Sequence, residues 1–211
     1  MNVAQPTHVA VILAAGGSAR LGMPKQLLTR SGEPLVRRVV RLAAATSPLR
    51  TVVVLGAHAE AVRATLVGLA CETVSNDRWP EGLATSVRTG AAALASHAGP
   101  MLLIACDQPA LEAQHLETLL ALARAASSGC AATLHGAVRG PPAVVSPEIR
   151  ARVHELEGDR GLRAVLASLR PGAVGELDAP ELCMDIDDTD GLAAAVAAGL
   201  VDDPLGTGDT R

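Results

Sequence analysis

Residues 13–28, LAAGGSARLGMPKQLL, set Gly16, Gly17 and Gly22 beside two cations, Arg20 and Lys25. Glycines let a chain turn tightly and expose its N–H groups, which is how loops cradle phosphate oxygens. Arg20 and Lys25 can neutralise a polyphosphate. Lys25 is the only lysine in a chain that otherwise uses 17 arginines. That choice suggests a place where a compact ammonium fits and a planar guanidinium does not. The Gly-x-Gly-x-x-Gly spacing is absent, and Gly22 is followed by Met-Pro-Lys-Gln where a P-loop has Lys-Ser or Lys-Thr. Neither of those phosphate loops is therefore present.

Carboxylates supply the opposite charge. Asp107, in Cys106-Asp107-Gln108-Pro109, follows an apolar run. Alone it could cap the next turn; facing a triphosphate loop it suits Mg2+, which prefers carboxylate, water and phosphate oxygens. In the stretch 76–86, Thr85 or Ser86 could be an N-cap and Trp79 a surface plug. In Cys183-Met184-Asp185-Ile186-Asp187-Asp188-Thr189, strand alternation would turn Asp185 and Asp187 to one face. The competing reading is a solvated turn capping the last helix. None of the six His has a metal-ligand spacing with Cys or another His.

These groups need a scaffold. Apolar or β-branched runs of strand length recur at 9–15, 51–56, 101–106, 131–134 and 143–146. Helical periodicity fills 35–45, 59–69, 84–94, 112–125, 147–156 and 161–169. The alternation predicts a single three-layer α/β domain with a mostly parallel sheet covered by helices. VAVIL and MLLIA are apolar throughout, as strands buried on both faces must be. Ligands of such sheets lie beyond the carboxyl ends of the strands, so the loops there carry the chemistry. The domain is expected over 1–201, with the polar residues 202–211 a disordered tail.

Composition narrows the class. A net charge of -4 and a single aromatic side chain, Trp79, leave little to attract a phosphate backbone or stack bases, so no nucleic-acid partner is expected. No apolar run approaches the roughly 18 residues of a membrane span, and residues 1–8 lack a secretory signal, which predicts a cytoplasmic protein without a membrane partner. Cys71, Cys106, Cys130 and Cys183 show no CxxC pairing and are expected to be reduced and buried.

The segment 13–28 resembles the signature of the MobA-like nucleotidyltransferases. It is especially similar to the molybdenum cofactor cytidylyltransferase branch, whose loop reads LAAG-x-S-x-R-M-G with Lys three residues on. Leu21 stands where Met is usual, a volume-conserving change. The resemblance implies a Rossmann-like domain of the nucleotide-diphospho-sugar transferase type. It implies that Leu13, Ala14, Ala15, Gly16, Gly17, Ser18, Arg20 and Lys25 hold the nucleotide. Gly82 and Ser86 join them, from a stretch similar to N-x-x-W-x-x-G-x-x-x-S. Asp107, in an Asp-Gln-Pro similar to the family's, would bind Mg2+. Asp187, ahead of Asp185, would add a second carboxylate, although the inserted Asp188 and a missing Pro depart from the family's Asp-Ile-Asp-Thr-Pro-Glu-Asp. Residues 140–143 and 157–163 are similar to the acceptor-side Gly-x-Pro and Gly-Asp-x-Gly-x-Arg segments.

The activity so implied is attack on the α-phosphorus of CTP by the phosphate of molybdopterin, a phosphorylated pterin, with loss of pyrophosphate. Lys25, Arg20 and Asp107 would be catalytic: Arg20 on the leaving phosphates, Lys25 on the α-phosphate and the incoming phosphate, Asp107 on Mg2+. Such displacement needs positioning and charge neutralisation more than a covalent nucleophile. A molybdoenzyme or its chaperone would receive the product. The alternatives are transfer of GMP or another nucleotide to a different phosphate, and a noncatalytic nucleotide-binding or delivery module. A Rossmann-type dehydrogenase is disfavoured, because the glycine pattern is wrong and no acid follows about 20 residues on to hold a ribose.

Overall fold

The computed structural model describes residues 8–159, 161–204 and 206. Strand β1 (Val9–Ala14) is buried at every position and forms the middle of the sheet. It is followed by a two-stranded ribbon, β2 (Thr29–Arg30) and β3 (Glu33–Pro34), and then by α1 (Leu35–Ala45). Next come β4 (Thr51–Leu55), α2 (Ala59–Thr65), β5 (Glu72–Ser75), α3 (Leu83–Ala93), β6 (Met101–Ala105) and α4 (Ala113–Ala125). The chain continues through β7 (Ala131–His135), β8 (Val138–Val145), α5 (Pro147–Ala151), α6 (Arg163–Ala167), β9 (Gly175–Asp178) and α7 (Thr189–Ala197).

Seven strands form one sheet in the order β5-β4-β1-β6-β8-β7-β9. All neighbours pair in parallel except β8, which runs antiparallel to both β6 and β7. Alternation along β1 divides the core: Ala10, Ile12 and Ala14 pack with Val36, Val40, Leu116 and Leu119 of α1 and α4. Val9, Val11 and Leu13 face the other way, with Val87 and Ala91 of α3. A sheet with helices on both faces is the expected three-layer α/β fold.

Gly90 permits one close approach. A Cβ there would lie 2.5 Å from Val11 Cγ1, so its absence lets α3 press directly on β1 and brings the start of α3 beside the end of that strand. The carboxyl end of β1 thus lies beside the amino end of α3.

Several sequence expectations need correction. β5 and β9 carry no sustained apolar run, only half-buried and exposed positions at the sheet edges. β8 extends well before residue 143, across Pro141 and Pro142. The 147–156 pattern divides into α5 and a 3-10 turn, Arg152–Glu155. Residues 184–187 are not a strand: they follow a 3-10 turn, Pro180–Cys183, and Ile186 N donates to Asp107 O at 3.1 Å.

All four cysteines are free, but only Cys106 and Cys130 are buried; Cys71 is half-buried and Cys183, on that turn, is exposed. At the start of the segment expected to fray, Asp202 accepts hydrogen bonds from Ser31 N and Gly32 N at 2.9 and 2.8 Å, tying it to the β2–β3 ribbon. Residues 205 and 207–211 of that segment, and residues 1–7, lie outside the described residues. Among those described, no helix is long and apolar enough to cross a membrane.

Candidate active site

The Gly-rich loop begins where β1 leaves the sheet. Ser18 adopts φ +52° and Gly22 φ +74°, left-handed conformations that reverse the chain. Ser18 O accepts from Leu21 N and Gly22 N at 3.1 and 3.0 Å, and its Oγ accepts from Lys25 N at 3.2 Å. The reversal carries Lys25, on the 3-10 turn Lys25–Leu27, back over the loop.

Two carboxylates meet that lysine. Lys25 Nζ donates to Asp107 Oδ2 at 2.6 Å and to Asp187 Oδ1 at 2.9 Å. Arg20 Nη2 donates to the other Asp187 oxygen at 3.0 Å. The side chains of Lys25 and Asp107 are 14% and 20% exposed, so the pair is well shielded; Asp187, at 46%, opens to solvent. Burial opposes the charge on Lys25, but the two carboxylates outweigh it and hold its pKa well above the ordinary lysine value. Hydrogen bonding from Lys25 holds Asp187 below the usual carboxylate range, with Arg20 adding to the effect. Asp185 behaves oppositely: desolvation in the cleft, with Asp107 as the chief like charge, pushes its carboxyl up to about 6. The thiol of Cys106 is pushed up to about 12, chiefly by burial, and is no candidate nucleophile at neutral pH.

Among the described residues no three His, Cys, Asp or Glu side chains are grouped as a three-ligand metal cage. The donor set fits Mg2+ nonetheless. Asp107 and Asp187 turn oxygens to one cationic point, and Mg2+ in phosphate sites takes one or two carboxylates and completes its shell with water and substrate.

These groups share a cleft of about 560 Å³. Leu13, Ala15, Gly16, Gly17, Ser18, Arg20, Lys25, Gly82, Ser86, Asp107, Asp185 and Asp187 all line it. Ala14 is the exception: its side chain is buried in the core on the α1 and α4 side of the sheet. Neither Thr85 nor Ser86 caps α3. Gly82 occupies the cap position, and Asn76 Nδ2 donates to Thr85 Oγ1 at 2.8 Å and Ser86 Oγ at 3.0 Å. Trp79 is more than a surface plug: a Cβ on Gly17 would lie 2.8 Å from two atoms of its ring.

The acceptor-side segments close the far wall. Ala84 N donates to Gly158 O at 2.9 Å, and Leu83 N to Asp159 Oδ1 at 3.2 Å, latching that loop to the start of α3. Arg160 lies outside the described residues, while Pro141, Gly161 and Arg163 line the cleft with His135. Sequence reasoning missed Gln26, Gln108 and His135. Gln108 Nε2 donates to Pro141 O and Leu182 O, and His135 Nε2 is 2.8 Å from Pro141 O, so both brace that wall. A Gln directly after each charged residue was the only available signal; its burial is invisible in sequence.

Residues 10–174 match the MobA-like NTP transferase domain. The nicotine blue oxidoreductase of Paenarthrobacter nicotinovorans is 33% identical over 172 residues, covering 81% of this chain and 79% of that protein. The bifunctional protein GlmU of Jannaschia sp. (strain CCS1) is 34% identical over 119 residues, but the match covers 55% of this chain and only 26% of GlmU. The crystal structure of Rv0371c from Mycobacterium tuberculosis H37Rv superimposes with a TM-score of 0.78 at 26% identity, covering 92% of this chain and 100% of that one.

Proposed function

The chain belongs to the MobA-like NTP transferase family and is a nucleotidyltransferase, and we propose that it transfers CMP from CTP to the phosphate of molybdopterin, releasing pyrophosphate. The observation that carries this reading is the convergence of Lys25, Asp107 and Asp187 opposite the Gly-rich loop in one cleft. The transferase domain is proposed over residues 1–201, with the family match at 10–174 inside it. The preference for CTP rests on the LAAG-x-S-x-R loop and its resemblance to the cytidylyltransferase branch.

In this reading the N–H groups of the 15–18 loop take the phosphate oxygens, and Gly82 and Ser86 lie against base and ribose. Lys25, kept fully protonated by its carboxylates, supports the α-phosphate as charge develops; Arg20, on the exposed rim, follows the leaving phosphates. Asp107 and Asp187 would hold Mg2+, which supplies Lewis-acid neutralisation of the phosphate oxygens. Asp187 suits that role better than Asp185, because its carboxylate meets Lys25 beside Asp107 and is held below the usual carboxylate range, whereas desolvation raises the carboxyl of Asp185. The phosphate of the acceptor enters along the wall of Pro141, Gly161 and Arg163, and a molybdoenzyme or its chaperone takes the product. The proposed setting of the reaction is the cytoplasm.

Pyrophosphate release from each of the four nucleoside triphosphates, with Mg2+ and molybdopterin, tests the proposal. CTP should react fastest. A stronger response to GTP, or to UTP with another phosphate acceptor, would replace it with the corresponding transfer. CTP binding without pyrophosphate release would favour a delivery module. A second reading comes from the relative named an oxidoreductase: NADH that displaces CTP from the cleft would support that chemistry.

A further inference from the structure

Gln26 is 0% exposed, beside the lysine that anchors the site. A buried amide has to find partners. Its Nε2 donates to Ala14 O at 3.2 Å and to Gly16 O at 2.6 Å, while its Oε1 is buried with no partner. An unsatisfied buried acceptor is a cost to folding. A methionine would fill similar volume without it, so packing alone does not call for an amide here.

The two donated bonds do something specific. In a planar trans peptide the C=O and N–H point in opposite directions. Drawing the Gly16 carbonyl onto Gln26 therefore turns the N–H of Gly17 the other way, and that N–H makes no backbone hydrogen bond. The bond to Ala14 O holds the end of β1 against the same amide. Ser18 Oγ accepts from Lys25 N one residue earlier, so residues 16 and 18 of the loop are clamped to residues 26 and 25 of the turn. The ammonium of Lys25 and the N–H groups of the loop are thereby set at one separation.

We propose that Gln26 is a positioning residue for the triphosphate, whose amide holds the Gly-rich loop with Gly17 N–H presented outward and in register with Lys25. This rests on the reading of that loop as the nucleotide cradle. Binding energy then depends on a preformed donor arrangement rather than on ordering the loop at each encounter.

The test is Gln26→Met, which keeps volume and removes both donors, with Gln26→Glu as the second variant, whose buried carboxyl is favoured in the protonated form and keeps one of the two donors. Trp79, the only tryptophan and packed on Gly17, reports the loop by its emission. Titration with Mg2+ and CTP, or with whichever triphosphate the wild type prefers, gives Kd; pyrophosphate release with the acceptor gives KM and kcat. Expected for Gln26→Met is a melting temperature within about 4 °C of wild type. Kd and KM should rise about tenfold, with kcat changed less than about threefold. Gln26→Glu, which keeps one donor, should lose less affinity than Gln26→Met. Unchanged KM in both variants, a fall in kcat at constant KM, or failure of both to fold would overturn the positioning role while leaving the transferase reading standing. A wild-type chain that binds no nucleoside triphosphate would overturn both.

Discussion

Lys25 and Asp107, 82 residues apart in sequence, are joined by a 2.6 Å hydrogen bond between Nζ and Oδ2 inside a half-open cleft. The lysine belongs to the loop after β1 and the aspartate to the loop after β6, and these strands are neighbours paired in parallel register. Adjacent parallel strands deliver their following loops to the same edge of the sheet, which is why the pair forms.

Removal of either partner should therefore strike the reaction rather than the fold. Lys25→Ala and Asp107→Ala are each expected to lower turnover by at least about tenfold. Both should remain folded, because the pair lies at the rim of the sheet and not in its core. Pyrophosphate release at near wild-type rate by either purified variant would remove these residues from the chemistry.

Metal dependence separates the two late aspartates. Chelation with EDTA should abolish pyrophosphate release, and added Mg2+ should restore it. In Asp187→Asn the Mg2+ concentration for half-maximal rate is expected to rise about tenfold or more, because a carboxylate ligand is lost. Asp185→Asn should move it much less. Equal effects, or the reverse order, would exchange their assignments.

Gly82 sits at φ +111° and ψ 170°, a region that only glycine enters readily. A Cβ there would also meet the Gly158 carbonyl carbon at 2.6 Å and its oxygen at 2.7 Å. Gly82→Ala should cost about 1–3 kcal/mol of stability and loosen the 157–163 loop from α3. Chemical denaturation and proteolysis of that loop would measure both; a variant as stable as wild type would contradict this geometry.

His8 carries an acid sensitivity far from the cleft. Burial, with Arg124 and His97 nearby, lowers its pKa below the ordinary 6.5, and its Nε2 lies 2.8 Å from Thr46 Oγ1. As the pH falls through 6.5, the unfolded chain takes up a proton that the folded chain resists, so stability is lost from that point down to the lowered folded value. His8→Gln should flatten the decline in melting temperature between about pH 7 and pH 5. Parallel profiles for wild type and variant would exclude His8 as its source.

Much of the fold was legible in order along the chain. The 35–45 periodicity corresponds to α1 residue for residue, and the apolar runs at 9–15, 51–56 and 101–106 became β1, β4 and β6 to within one residue at each end. These segments report their own burial: helix periodicity marks one covered face, and unbroken apolarity marks two. Edge strands β5 and β9 did not announce themselves, because a strand covered on one side needs few apolar residues.

The residue types in the 13–28 loop, their order, and Asp107 at a strand end were enough to indicate a phosphate-handling cleft. Chain folding alone decided the rest. The reversed β8, the pairing of Asp187 with Lys25, and the burial of Gln26 all depend on partners distant in sequence. A local pattern encodes the hydrogen bonds and burial a segment makes with itself. It holds no record of which residue, 162 positions away, will arrive beside it when the sheet closes.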